Sequence, residues 1–281
     1  MKKRIKQGKK ILVYKNKTMK VALCFIISYE HILNKETIWR EWIEQNRDII
    51  NVYFYYQDIK KIKSPWILSH TIPPKFIHPT TYYNVIPAYL SLMSFASAHD
   101  KSNQWFCFLT ESCCPVISPA KFKYLFLKNH DKTIMSWKRA WWNVKFHTRA
   151  NLAKLPPELH LANDPWFVMK REHVTLVMNY YKNKEDVVRT ICTGGLANES
   201  LFAIILFAQS KISDKDVICS PSHAADWVRM SSKTSPHVFN EGNALDISFI
   251  KNTMKNENIM FIRKIDRHFP DEILINYLKN V

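Results

Sequence analysis

The chain has 281 residues, 47% of them hydrophobic and 13% aromatic, which is enough to build a full core and excludes a chain disordered throughout. Forty-one Lys and Arg against 24 Asp and Glu give a formal net charge of +17, so nucleic acid, acidic membrane surfaces and phosphorylated small molecules are the partners to weigh. No apolar run approaches the roughly 18 to 20 residues that cross a bilayer, and the six cysteines show no CxxC or Cys/His spacing suited to zinc.

Residues 1–18 form a basic N-terminal arm, read as solvated, with weak contact to an anionic membrane open to it. Met19 to Ser28 reads as a fully buried first strand; it lacks the small-residue cleavage site of a signal peptide. Lys35 to Asn46 places Ile38, Trp39, Trp42 and Ile43 at helical spacing, and Asn51 to Gln57 is an aromatic second strand. A proline-containing connection follows, then a helix from Val85 to His99 and a strand from Trp105 to Leu109. Such alternation predicts a parallel, doubly wound α/β sheet.

Further on, Pro119 to Lys128 reads as a helix, Thr133 to Trp137 as a short strand, and Lys138 to Leu161 as a loop-rich insertion able to wall a pocket. Pro165 to Met169 reads as a strand, followed by a helix to Tyr181, and Asn198-Glu199-Ser200 opens the apolar helix Leu201 to Ala208. The four glycines offer no GxGxxG or Walker loop. The Asp-x-Asp spacing at Asp214-Lys215-Asp216 falls in a polar turn and reads as solvated rather than as a metal site.

Chemistry concentrates where the Trp105 to Leu109 strand runs into Thr110-Glu111-Ser112-Cys113-Cys114-Pro115, because ligands collect at the carboxyl ends of strands in open α/β sheets. The same pattern also fits a buried strand leaving the core through a turn. Four segments then stand in a telling order: Tyr53-Phe54-Tyr55-Tyr56-Gln57-Asp58; Phe108 to Pro115; Asp164-Pro165-Trp166-Phe167-Val168-Met169-Lys170-Arg171-Glu172; and Ala197-Asn198-Glu199-Ser200-Leu201-Phe202. A fifth, Phe261-Ile262-Arg263-Lys264-Ile265, lies near the C-terminus. Together they resemble the core-2/I-branching glycosyltransferase family, which includes branching β-1,6-N-acetylglucosaminyltransferases, peptide xylosyltransferases and plant and viral relatives. Tyr56 stands where that family has His, and Asn198 where it has Asp.

The resemblance covers about residues 19 to 270 and implies a single GT-A type domain over 19–281, with a Rossmann-like, mostly parallel central sheet flanked by helices. Residues 19–137 would form the nucleotide-sugar half and 138–281 the acceptor and catalytic half. It implies inverting, metal-independent transfer of N-acetylglucosamine or xylose from a UDP-sugar to a hydroxyl of a glycan or glycoprotein, with no cofactor. Glu199 is the expected base, since such a transfer needs one carboxylate to take the acceptor proton; a first-turn acid favoured by the helix dipole is the plain alternative.

Lys264 and Arg263 are the expected diphosphate clamp, against a solvated pair beside an apolar strand. Arg229, Lys233 or His237, in the loop Trp227 to Phe239, is expected to add a further cation. Asp58 would meet the uracil or ribose, or else be a turn residue. Glu111 and Ser112 would lie where donor and acceptor meet. Trp166 and Trp105 offer flat surfaces for a sugar, although strand tryptophans are commonly core; Arg149 would hold an acceptor group or be solvated.

Cysteines set inside apolar runs and the lack of a signal-peptide cleavage site imply a soluble protein of a reducing, intracellular compartment, the cytoplasm, that of a virus-infected host included. The rival readings are a basic nucleic-acid-binding protein, against which no recognised binding motif appears, and a carbohydrate-binding member of the same fold without catalysis.

Overall fold

From Lys20 to Ile26 every residue after the first is buried, as in a strand covered on both faces. This segment is β1 of the computed structural model, which describes residues 19–81, 83–213 and 215–279; the basic arm expected over 1–18 lies outside them. Helix α1 (Glu36–Glu44) turns Ile38, Trp39 and Trp42 inward and returns the chain to β2 (Ile50–Tyr55), parallel to β1 with Val21 opposite Ile50. After α2 (Pro65–Ser69) and α3 (Ile86–His99), β3 (Asn103–Thr110) enters parallel on the other side of β1, with Cys24 opposite Phe108. That reversal of strand addition opens a crevice at the carboxyl ends of β1 and β3.

The remaining elements are β4 (Cys114–Pro115), α4 (Pro119–Asn129), β5 (Thr133–Ile134), β6 (Trp137–Arg139), β7 (Leu161–Asn163), β8 (Val168–Lys170), α5 (Arg171–Asn183), α6 (Glu185–Cys192), α7 (Leu201–Ala208), β9 (Val217–Ile218), β10 (His223–Ala225), α8 (Ala244–Thr253), β11 (Phe261–Arg263) and α9 (Asp271–Lys279). The central sheet has the order β2-β1-β3-β8-β5-β9. Helices α3, α5 and α7 pack on one face of it and α1 and α4 on the other. The result is a mixed α/β fold of the GT-A type, with a mostly parallel central sheet flanked by helices.

The sheet departs from a wholly parallel one at β8, which runs antiparallel to both β3 and β5. No crossover helix leads into β8; the chain arrives from the β6/β7 hairpin, and a parallel strand needs a crossover. For the same reason the single strand read over Thr133 to Trp137 divides into β5 in the central sheet and β6 in the hairpin. The strand read from Pro165 begins only at Val168. Trp105 is wholly buried, its indole Nε1 donating to the carbonyls of Asn129 and Lys132, so it is core and not a sugar surface. Among the described residues no helix is long and apolar enough to cross a membrane.

Candidate active site

The loop after β3 is fixed from three sides. The indoles of Trp39 and Trp42 on α1 donate to the carbonyls of Cys113 and Ile117 at 2.9 and 2.8 Å. Strand β11 pairs antiparallel with β4, and just beyond it the Ile265 N–H donates to the Ser112 carbonyl at 2.8 Å. Asn34, in the β1 to α1 turn, closes the stitch: its backbone N–H donates to the Glu111 carbonyl at 3.0 Å and its side chain to the Ile265 carbonyl at 2.8 Å. Arg263 and Lys264, far along the chain, thereby stand beside Glu111 and Ser112.

Arg263 is 7% exposed, so for this residue the solvated reading fails. Its guanidinium lies 3.4 Å from the centroid of the Trp166 ring, the close face contact that a delocalised cation makes with an indole. Its Nε is buried and has no hydrogen-bonding partner among the described residues. Burial pushes the guanidinium's pKa down, and Cys113, Glu111, Tyr89 and Glu199 pull it back up. Tyr89, whose hydroxyl donates to the Pro165 carbonyl, packs with Phe108, Phe167 and Phe202 beneath this point. Next to Arg263, Lys264 donates to Ser235 Oγ at 2.7 Å; burial and then Arg263 lower its pKa, against the pull of Glu111. Burial raises the Glu111 carboxyl.

Glu199 ends a short 3-10 turn, Ala197–Glu199, that leads into α7. Asn163 at the end of β7 holds that turn, donating to the Asn198 carbonyl at 2.9 Å and accepting the Ala203 N–H at 3.2 Å. On the other side Leu196, at φ 56°, donates to the Tyr83 carbonyl at 3.1 Å. The half-buried Glu199 carboxylate accepts from Arg149 Nη1 at 3.3 Å. Burial raises its pKa; Arg149 lowers it, Asp164 raises it and Arg263 lowers it. Arg149 is therefore an ion-pair partner of Glu199, not a solvated loop residue. It belongs to a turn where Ala150 and Asn151 are left-handed (φ 51° and 47°) and where a Cβ on Gly194 would come within 2.3 Å of the Asn151 nitrogen.

Other sequence candidates lie elsewhere or are already engaged. Arg229 donates to Asp226 at 2.6 Å and to Asp246 at 2.9 Å, and His237 donates to Asp246 at 3.0 Å. Both hold carboxylates, Asp246 being wholly buried, and Arg229 keeps its Nη2 buried without a partner among the described residues. Asp58 accepts the Lys60 N–H at 3.0 Å and so caps a turn at the carboxyl end of β2, anchored by His31 Nε2, which accepts the Asp58 N–H at 3.0 Å. Asp216 is not a solvated turn acid: its carboxylate accepts from Lys170 at 2.8 Å, while Asp214 lies outside the described residues.

Three participants were missed. Asp164, raised by burial, adds a second carboxyl that acts on Glu199; its place at the head of one of the quoted segments is the signal for it. Asn163 gave no signal, since a polar residue at a strand end is ordinary. Gly194-Gly195 did give one, because two of the chain's four glycines stand together, five and four residues before Glu199.

No curated protein matches the chain significantly. The Core-2/I-Branching enzyme model matches residues 78–253, more than half of the chain, and that span holds Glu111, Arg149, Trp166 and Glu199. With the fold described above, this match means that the chain belongs to the core-2/I-branching family of glycan glycosyltransferases.

Proposed function

We propose that the protein transfers a sugar from a UDP-sugar to an acceptor hydroxyl by an inverting, metal-independent displacement, with UDP-N-acetylglucosamine the first donor to test and UDP-xylose the second. One observation carries the reading. A half-buried carboxylate, Glu199, lies within electrostatic reach of a nearly buried guanidinium, Arg263, whose Nε has no partner among the described residues. A buried cation left without a hydrogen-bonded anion is costly unless a ligand supplies one.

Glu199 takes the proton from the acceptor hydroxyl as its oxygen attacks the anomeric carbon. The bond from that carbon to the diphosphate breaks, and UDP leaves with the electron pair. Arg263 and Lys264 meet the charge that develops on the leaving oxygen. Asp58, at the carboxyl end of β2, faces the nucleoside, while Glu111, Ser112 and Trp166 line the floor between donor and acceptor.

The test is UDP release from each donor, in excess EDTA, by the native chain and by Glu199→Gln. Turnover that persists with chelator and collapses in the variant is the expected result. Loss on chelation overturns the metal-free part, and an unaffected variant removes Glu199 from the mechanism.

A further inference from the structure

Trp141 keeps 61% exposure, yet its orientation is set. Its ring meets Trp142 edge-on at 4.9 Å and 83°, and Lys138 Nζ lies 4.5 Å from its centroid. Trp142 packs against the main core and lies 5.3 Å from the guanidinium of Arg149, which in turn holds Glu199. An indole held rigid but left open gains little from folding, whereas such a surface suits the CH face of a pyranose. The contact chain from Trp141 through Trp142 and Arg149 ends at Glu199, so a ring stacked there extends from the site.

Along the segment itself the charge is one-sided, while the half-buried carboxyl of Asp164 acts on Lys138 from outside it. From Trp137 to Arg149 the chain carries Lys138, Arg139, Lys145 and Arg149 and no acidic residue. Arg139 donates to the Pro157 carbonyl at 2.6 Å and Arg149 to Glu199, which leaves Lys138 as the cation on the ring itself. The Nε1 atoms of Trp137 and Trp142 are buried without partners among the described residues.

We propose that Trp141, backed by Trp142 and Lys138, is an acceptor platform and that it takes a glycan bearing an anionic group, carboxylate or sulfate, within reach of Lys138. This rests on the transferase reading above and names its acceptor class. The ring supplies stacking to any pyranose; Lys138 supplies the preference for charge.

The experiment is calorimetry on the full chain, first with UDP alone and then, with UDP saturating, with three tetrasaccharides. These are an alternating glucuronate and N-acetylglucosamine chain, its carboxyl-reduced neutral form, and an O-sulfated version of the neutral form. The native protein is expected to bind an anionic probe at least tenfold tighter than the neutral one. Trp141→Ala should weaken all three at least tenfold and Trp141→Phe about threefold, while Lys138→Gln should erase the preference and leave neutral binding as it was. Which anionic probe binds tells carboxylate from sulfate. The platform is overturned if UDP binds and Trp141→Ala takes the tetrasaccharides as the native chain does, or if none of the three binds. Equal native affinity for neutral and anionic probes overturns the charge preference. Absence of UDP binding beside Trp141-dependent saccharide binding strikes the donor reading and supports the platform.

Discussion

The guanidinium of Arg263 rests 3.4 Å from the centroid of the Trp166 ring, and this contact joins β11, the middle strand of a small three-stranded sheet ordered β10-β11-β4, to the segment leading into β8. An aromatic face offsets part of the cost of burying a cation but supplies no hydrogen-bond acceptor. The residue is thus held in place while its buried Nε has no partner among the described residues, as the proposed anion-binding role requires.

Replacing Arg263 by Met should therefore separate stability from binding. Exchanging a buried charge for an apolar side chain of similar length is often neutral or stabilising, so the melting temperature should hold or rise. UDP affinity should fall at least about tenfold, or about 1.4 kcal/mol. Thermal melts and UDP calorimetry on the same preparation check this; a large drop in melting temperature with UDP affinity intact would make Arg263 a purely structural residue.

His173 sets a pH dependence of folding away from the site. Its ring is fully buried, with Nδ1 2.8 Å from Thr133 Oγ1, and burial, then Lys170, lower its pKa from 6.5 to about 4, against the pull of Asp216 and Glu172. Between those values the unfolded chain binds the proton and the folded chain does not. Stability contributed by the neutral ring is complete above the unfolded value and is lost as pH falls through this window, by roughly 3 kcal/mol in the limit. Urea midpoints at pH 7 and pH 5 should differ more for the native chain than for His173→Asn; equal differences would assign the acid sensitivity to other groups.

Gly194 tests the support beneath Arg149. A Cβ there would lie 2.3 Å from the Asn151 nitrogen, 2.6 Å from the Thr148 oxygen and 2.7 Å from the Ala150 carbonyl carbon, all backbone atoms that cannot swing aside. Gly194→Ala should cost about 1 to 3 kcal/mol, the usual range for overpacking, and should displace the Arg149 turn. Gly195→Ala serves as control, since its nearest neighbour is a Tyr83 ring carbon at 3.9 Å. Chemical denaturation of the two variants should show the first far weaker than the second.

The first half of the fold was legible because β1, β2 and β3 are nearly unbroken buried runs, α3 is a long apolar stretch and α1 repeats its buried residues at helical spacing. Strands of two or three residues, such as β4, β10 and β11, have no period to read, so the small sheet that brings Arg263 to Glu111 stayed hidden. Glu199 and Arg263 were legible as residue types in ordered motifs. Their mutual placement was not, because it depends on Asn34, Asn163 and two indole bonds from α1, contacts made between segments distant in the chain. The partners of Arg229 and His237 were hidden for a related reason: Asp226 and Asp246 come beside them only in the fold.

The sharpest consequence concerns the acid limb of activity. A general base works only unprotonated, so kcat/KM should fall as pH drops through the Glu199 pKa, which burial holds above the ordinary carboxylate value while Arg149 opposes the rise. Removing that cation in Arg149→Met should carry the limb to higher pH, and Arg149→Lys should return it toward the native position. Asp164→Asn removes a like charge and should carry the limb the other way. Glu199→Gln should abolish the limb and lower kcat by about 10²- to 10⁴-fold, the usual range for losing a general base. A limb that stays in place across the Arg149 and Asp164 variants would mean that the titrating group lies elsewhere; opposite displacements in the two would tie it to the carboxylate between them.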